Sequence, residues 1–337
     1  MKRSETSANS NPIPISRSPR GWRHHGPKAT GKSFTRFFAA LLGLVGIPIL
    51  SSAEPDEDSA SSPIEDAEPA AVSKTADEIA KELANPNNSL ASLTFKNQYR
   101  WYDGDLPYAG DQGNYTLLFQ PVFPFTMPET ERGAKANLFV RPAFPILFDQ
   151  PVPSIDAGGF NFDGTTALGD IGFDIGYGVT EPNGILWASG LVGTLPTATS
   201  SDVAGKQFRL GPELLLAKFE DWGVYGIFPS HQWNVTGWDD SYYSASQVQL
   251  FFRVLPGDGW NVGSSPIINY DWTTESWTIP ISLSVSKTVT IANKPVKLEL
   301  EGNYYVEQPD AFGPQWMISF NITPVVPNFV ENWIRGN

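Results

Sequence analysis

From Leu90 towards the C-terminus the chain alternates apolar and polar residues with a period of two, in segments of about ten to fourteen residues separated by Gly, Asp, Asn and Pro clusters. Between 277 and 286, Trp277, Ile279, Ile281, Leu283 and Val285 share one face, and Thr278, Pro280, Ser282, Ser284 and Ser286 share the other. Ile171, Phe173, Ile175, Tyr177 and Val179 are set in the same way against Asp170, Gly172, Asp174, Gly176 and Gly178. Successive side chains of a strand point to opposite faces, so this spacing predicts half-apolar β-ribbons. About twelve such segments follow one another, near 90–101, 114–125, 135–148, 167–180, 184–196, 206–218, 222–235, 242–255, 260–273, 276–288, 295–306 and 314–326. No long helical periodicity interrupts them.

A soluble sandwich or barrel would turn the apolar faces inward, whereas a barrel in a membrane turns them to lipid and lines its interior with the polar faces. Three features favour the second. The polar faces carry ionisable groups of both signs, namely Lys96, Arg100, Arg141, Asp170, Asp174, Arg209, Glu213, Arg253, Asp271, Glu299 and Glu301, which become the candidate pore-lining residues. Aromatics recur at segment ends, as in Tyr99 and Trp101, Trp187, Trp222 and Tyr225, Trp272, Trp277 and Trp316, where interfacial girdles belong. The third feature is an export signal. The expected fold is an all-β transmembrane antiparallel barrel of about twelve strands over residues 90–337. Prolines 121, 124, 142, 145, 212, 229, 266 and 280 fall inside or near these segments, and mark bulges or strand rims on this reading.

Residues 1–53 hold eight of the 23 basic residues and one of the 36 acids, and Phe37–Leu50 is an apolar run followed by Ser51-Ser-Ala53. That run falls short of the roughly 20 residues that span a bilayer and contains Pro48, so it fits a cleaved signal peptide better than an anchor. Residues 54–337 then carry 15 basic and 35 acidic side chains, a net −20 that repels nucleic acid. Residues 54–89 read as an acidic linker with a short periplasmic helix at Ala76–Ala84, stopped by Asn85-Pro86. Gly26–Ser33 matches the phosphate-cradling G-x-x-x-x-G-K-[ST] pattern, but it has no strand before it and no parallel sheet, so no nucleotide site is assigned.

The chain has no Cys and three His, which excludes disulfides, thiol catalysis and Cys-ligated metal. Beyond the signal only His231 remains, so no multi-histidine metal site or proton relay is available and no cofactor is expected. Ser230-His231 invites comparison with barrel-embedded lipases. Adjacent strand residues face opposite ways, however, so a nucleophile for His231 would have to come from another strand. No G-x-S-x-G elbow occurs, and an enzyme is not the expected reading. Asp170 and Asp174 share a face at about 13 Å, too far for an acid/base pair. Their expected partners are Arg141 or Arg209. Gly172, Gly176 and Gly178 either widen the bore or let another side chain cross it.

Ordered blocks carry a family likeness: Leu83-Ala-Asn-Pro86, Leu90-Ala-Ser-Leu93, Phe119-Gln-Pro-Val-Phe-Pro-Phe125, Leu168-Gly-Asp170, Gly193-Thr-Leu-Pro-Thr-Ala-Thr199, Leu210-Gly-Pro212, Tyr270-Asp-Trp272 and Trp277-Thr-Ile-Pro280. Over roughly residues 83–326 the chain resembles the "MetA-pathway of phenol degradation" outer-membrane family, whose members are often labelled transporter or neuromedin U. The resemblance implies an outer-membrane barrel passing small, aromatic or apolar molecules, with no catalytic residue to carry over. The expected function is a passive channel in the outer membrane of a Gram-negative-type bacterium. A barrel-embedded lipid hydrolase or a non-conducting surface barrel is the alternative. Its expected partners are outer-membrane lipid, small-molecule cargo and, during biogenesis, the barrel-assembly machinery, with no nucleic acid. Residues 149–164 and 196–205 are the longest expected loops.

Overall fold

The computed structural model describes residues 74–237 and 242–336. The expected signal peptide, the phosphate-loop match and the expected acidic linker up to residue 73 lie outside the described residues. A helix, α1 (Ala76–Leu83), precedes the strands, which are β1 (Ser92–Asp103), β2 (Gly113–Met127), β3 (Lys135–Asp156), β4 (Gly159–Leu168), β5 (Ile171–Thr180), β6 (Ile185–Leu195) and β7 (Gln207–Glu220). These are followed by β8 (Gly223–Gly237), β9 (Ser244–Gly257), β10 (Trp260–Ser264), β11 (Ile267–Asp271), β12 (Ser276–Ile291), β13 (Lys294–Glu307), β14 (Gly313–Pro324) and a second helix, α2 (Phe329–Arg335). Every pairing is antiparallel, and β1 pairs with β14, which closes the sheet.

The barrel has twelve staves. β10 and β11 lie end to end between β9 and β12 and make one stave broken at Pro266, while β4 pairs only with the outer half of β3. Residues 149–164, expected as a loop, are therefore the β3–β4 hairpin. Its prolines, Pro151 and Pro153, sit beyond Phe148, the last β3 residue paired with β2, where the ribbon has a free edge that tolerates a missing N–H. Some prolines inside the staves coincide with ladder faults, while Pro124 and Pro145 pair with Phe139 and Leu118 in unbroken runs. The β2–β3 ladder skips the stretch holding Pro121 and Pro142, and β12 shifts register between Ile279 and Pro280.

Both described ends of the barrel chain lie at one rim, here called proximal. The proximal turns are short, and two are dictated by local chemistry: Ala292 and Asn293 have φ of 49° and 60°, and Asp258 and Gly259 have 52° and 71°. Positive φ at both central residues is the two-residue hairpin geometry whose twist matches the strands. Longer connections at 104–112, 196–206 and 308–312 lie at the distal rim. In outer-membrane barrels the short-turn rim is periplasmic.

The faces are sorted as the alternation requires. On β12, Ile281 and Leu283 are 63% and 67% exposed on the outside, whereas Ser282 and Ser284 are 6% and 2% exposed. Aromatics form two outer bands. Tyr99, Trp101, Trp233, Trp277, Tyr304 and Trp316 lie towards the distal rim, and Tyr177, Trp187, Trp222, Tyr225 and Trp260 towards the proximal one. Within the bands rings pack on rings, for instance Tyr304 on Trp316 at 4.6 Å and Trp222 on Tyr225 at 6.0 Å. An exposed apolar belt between two aromatic girdles on an edgeless barrel is the surface that hydrocarbon demands.

The interior departs from the expectation of a uniformly polar bore. Phe139, Leu186, Ala188, Leu215, Ala217, Val224 and Phe251 form an inward-facing apolar cluster near the proximal rim, joined by Ala84, Phe219 and Phe228. Here the staves are apolar on both faces, because Leu214 and Leu216 face outward while Leu215 is buried. Outside the barrel, α2 is fastened to the proximal end of β2: Asn328 donates from its side chain to Pro124 O, and Phe329 meets Phe123 edge-on at 5.4 Å. The period-two pattern contained no sign of this helix.

Candidate functional site

A polar cavity of about 520 Å³ occupies the bore, reached by inward side chains of β1, β2, β3, β9, β11, β12, β13 and β14. Six of the eleven sequence-derived candidates border it: Lys96, Arg100, Arg141, Arg253, Glu299 and Glu301. Lys297, which the sequence reading did not single out, joins them.

The charges fall into three groups. On the β9–β13 wall, Arg253 Nη1 lies 2.5 Å from Glu299 Oε1, and Lys297 Nζ lies 3.1 Å from Glu299 Oε2, so one nearly buried carboxylate serves two cations. Across the bore, Arg141 Nε lies 2.6 Å from Asp174 Oδ1, with Glu213 close by. The Arg141 guanidinium also covers the Phe139 ring at 4.6 Å, tying this pair to the apolar cluster. The third group is on β1. Arg100 donates to Gln98 Oε1 at 2.7 Å and to Thr116 Oγ1 at 3.2 Å. Among the described residues, neither Lys96 nor Arg100 has a carboxylate within ion-pair distance. Glu301 accepts from Asn303 at 3.0 Å. The cavity wall thus sets five cations, with Lys297, against the two carboxylates Glu299 and Glu301.

The remaining candidates do not border the cavity. Asp170 accepts backbone N–H bonds from Thr197, Ala198 and Gly205 at 2.7–3.0 Å, which ties down the 196–206 loop. Arg209 lies over the Tyr243 ring at 3.7 Å. Asp271 caps its own turn, accepting from Thr273 N at 2.7 Å and Thr274 N at 3.2 Å. Of the β5 glycines, Gly172 has room for a Cβ, with its nearest neighbour at 3.7 Å, whereas Gly176 and Gly178 are occupied rather than open. A Cβ on Gly176 would sit 2.4 Å from Phe139 Cζ, and one on Gly178 would sit 2.6 Å from Asn87 Oδ1. Side chains cross there, and the bore is narrowed rather than widened.

Asn87 belongs to a strap that sequence reasoning did not foresee. α1 is capped reciprocally by Thr75 and Glu78, with Glu78 N donating to Thr75 Oγ1 and Thr75 N donating to Glu78 Oε2. At eight residues it is too short to persist alone. It is held by burying Ile79 and Ala80 beside β9, β10, β12 and β13, and by a bond from Gly259 N to Asp77 Oδ1. The chain then crosses to the opposite wall. There Asn87 donates to Thr180 Oγ1 at 3.3 Å, and its carbonyl accepts from Asn137 Nδ2 at 2.9 Å. Leu83, Asn85, Pro86 and Asn88 consequently border the cavity. Among the described residues, no cluster of three or more His, Asp or Glu side chains is placed to hold a metal ion.

No protein-family model and no curated protein matches the chain. The fold is similar to the crystal structure of an outer membrane channel from Pseudomonas putida F1, with a TM-score of 0.52 at 12% identity, over 72% of this chain and 99% of that one. The beta domain of the Bordetella autotransporter Brka overlaps less closely, with a TM-score of 0.38 at 8% identity over 71% and 100% of the two chains. At such identities the likeness is one of fold. The barrel matches the outer membrane proteins of Gram-negative bacteria, which agrees with the apolar belt and girdles described above.

Proposed function

We propose that this barrel is a passive outer-membrane channel for small molecules, entered from the distal rim and restricted on the periplasmic side by the α1 strap. The observation that carries the reading is the polar cavity inside a closed lipid-facing wall, with Lys96 and Arg100 turned into it and, among the described residues, no carboxylate within ion-pair distance of either. In a narrow, low-dielectric bore such unpaired cations raise the local concentration of anions, so the cargo class favoured is small solutes carrying a negative group. The sequence blocks resembling the phenol-degradation family add aromatic or apolar bulk to that description. A channel is also what the similar Pseudomonas putida protein is called. Outer-membrane lipid around the belt and the barrel-assembly machinery during insertion are the partners this reading entails.

Planar-bilayer recording tests it. The folded protein should give discrete current steps whose reversal potential under a salt gradient lies on the anion side. The double variant Lys96→Met, Arg100→Met should move that potential towards the cation side. Absence of any current from a correctly folded barrel would refute the channel reading. Current with an unmoved reversal potential would refute the assignment of selectivity to β1.

A further inference from the structure

The outer wall carries a polar cluster that a channel does not use. His231 of β8 lies directly opposite Ser246 of β9 in the ladder. Both share the outward face with Tyr225, Ile227, Leu250 and Phe252, which are exposed on the outside. The imidazole Nδ1 is 2.8 Å from Ser246 Oγ, and Nε2 is 3.2 Å from Ser244 Oγ. The indole Nε1–H of Trp272 donates to Ser246 Oγ at 2.9 Å, and the Trp233 ring packs on the imidazole at 4.2 Å.

Ser246 Oγ accepts from Trp272, an indole that can only donate, and in the imidazole tautomer with its proton on Nε2 the serine's own proton is directed at Nδ1. In that tautomer the Nε2 proton is donated to Ser244 Oγ. A hydroxyl, a base within reach of it and a third group holding the base's other nitrogen are the parts of an activated nucleophile. The nucleophile that Ser230 could not supply from the same strand is supplied by the neighbouring one. Ser244 is nearly covered, whereas Ser246 is half-buried and remains approachable. The cluster lies in the distal aromatic band, the level at which lipid headgroups meet acyl chains. Polar side chains on a lipid-facing wall are costly, which makes a functional role the natural reading of three together.

We propose that this cluster is an acyl-ester hydrolase site on the outer wall, with Ser246 as nucleophile, His231 as general base and Ser244 as the residue positioning the ring. Ser246 Oγ attacks the ester carbonyl carbon while its proton passes to His231 Nδ1. The tetrahedral intermediate collapses as the bond to the alcohol oxygen breaks, and that oxygen takes the proton from His231. Water then attacks the acyl-serine carbonyl carbon, giving a proton to His231. The bond to Ser246 Oγ breaks, Ser246 recovers the proton, and a fatty acid leaves. One ester and one water yield one acid and one alcohol. The Trp272 N–H, 2.9 Å from Ser246 Oγ, is a side-chain donor beside the attacking oxygen. The lumen plays no part, so this site and the channel stand or fall separately.

The test uses the full-length barrel refolded in vesicles, with folding checked by heat-modifiable gel migration. A fluorophosphonate probe is added and the adduct mapped by mass spectrometry in the unaltered protein, where the label should fall on Ser246. In parallel, fatty-acid release is followed from phosphatidylethanolamine vesicles and from lipopolysaccharide-containing vesicles, and the released chains identify which source is used. Ser246→Ala and His231→Ala should lose turnover at least 100-fold, while Ser230→Ala keeps it. Ser244→Ala should shift the pH profile of the residual rate, a change that mere packing would not cause. A folded barrel that takes no label and releases no fatty acid overturns the proposal. So does labelling that persists in Ser246→Ala.

Discussion

Replacing Leu283 by arginine tests the orientation on which the architecture depends. β12 has 16 residues. At about 3.3 Å per residue it is roughly 53 Å long, and a tilt of about 40° leaves roughly 40 Å along the membrane normal. Leu283 is midway along this stave, so it lies close to the centre of an apolar band roughly 25 Å tall. Its side chain is 67% exposed, beside Ile281 and Val285 on the same face and opposite Gly302, which adds no side chain to shield it. Were that face in water, an exposed Leu→Arg change would stay within about 0.5 kcal/mol of neutral. In lipid at the midplane it costs about 2–4 kcal/mol, falling to about 0–1 kcal/mol near an interface. Ile291→Arg, at the proximal end of the same stave, is the depth control. Reversible denaturant unfolding in phosphatidylcholine vesicles, read by tryptophan fluorescence and gel migration, resolves a gap of about 1.4 kcal/mol, a factor of ten in the equilibrium constant. Equal costs at the two positions, or a Leu283→Arg protein as stable as the parent, would refute the lipid-facing assignment.

Two further perturbations address the bore. Glu299→Gln leaves Arg253 and Lys297 facing each other without their shared carboxylate, and should lower unfolding stability by about 3 kcal/mol in the same vesicle assay. An unchanged midpoint would mean that water in the cavity screens the pair. Gly178→Ala places a Cβ 2.6 Å from Asn87 Oδ1 and dislodges the strap from β5, so single-channel conductance should rise. Asn87→Ala, which removes the same seat without adding bulk, should do likewise, and unaltered conductance in both would show that the strap does not limit passage.

The twelve staves were legible because alternation is a local property. A pleated ribbon between lipid and a polar interior must change character at every residue, and the signal repeats along each stave whatever its partners are. The helix at Ala76–Leu83 was legible from its composition and the Asn85-Pro86 stop. The β3–β4 hairpin was missed because Pro151, Pro153 and Gly158 read as turn residues, and only the end of β2 makes a free edge that accepts them. The apolar interior cluster did leave a trace in the runs Leu214–Ala217 and Leu186–Ala188, where apolar residues fail to alternate.

The sequence by itself determined a count of about twelve staves, the apolar and polar face of each ribbon and the aromatic bands, since each follows from short-range periodicity. Tertiary structure alone decided which charges are paired and which are free. It set Lys96 and Arg100 unmatched on β1, gave Arg141 to Asp174 rather than leaving a choice with Arg209, moved Asp170 from the bore to a loop anchor, and placed Ser246 beside His231. Those are contacts between neighbouring or facing strands, and they depend on register, closure and the path of the strap, none of which a period-two pattern encodes.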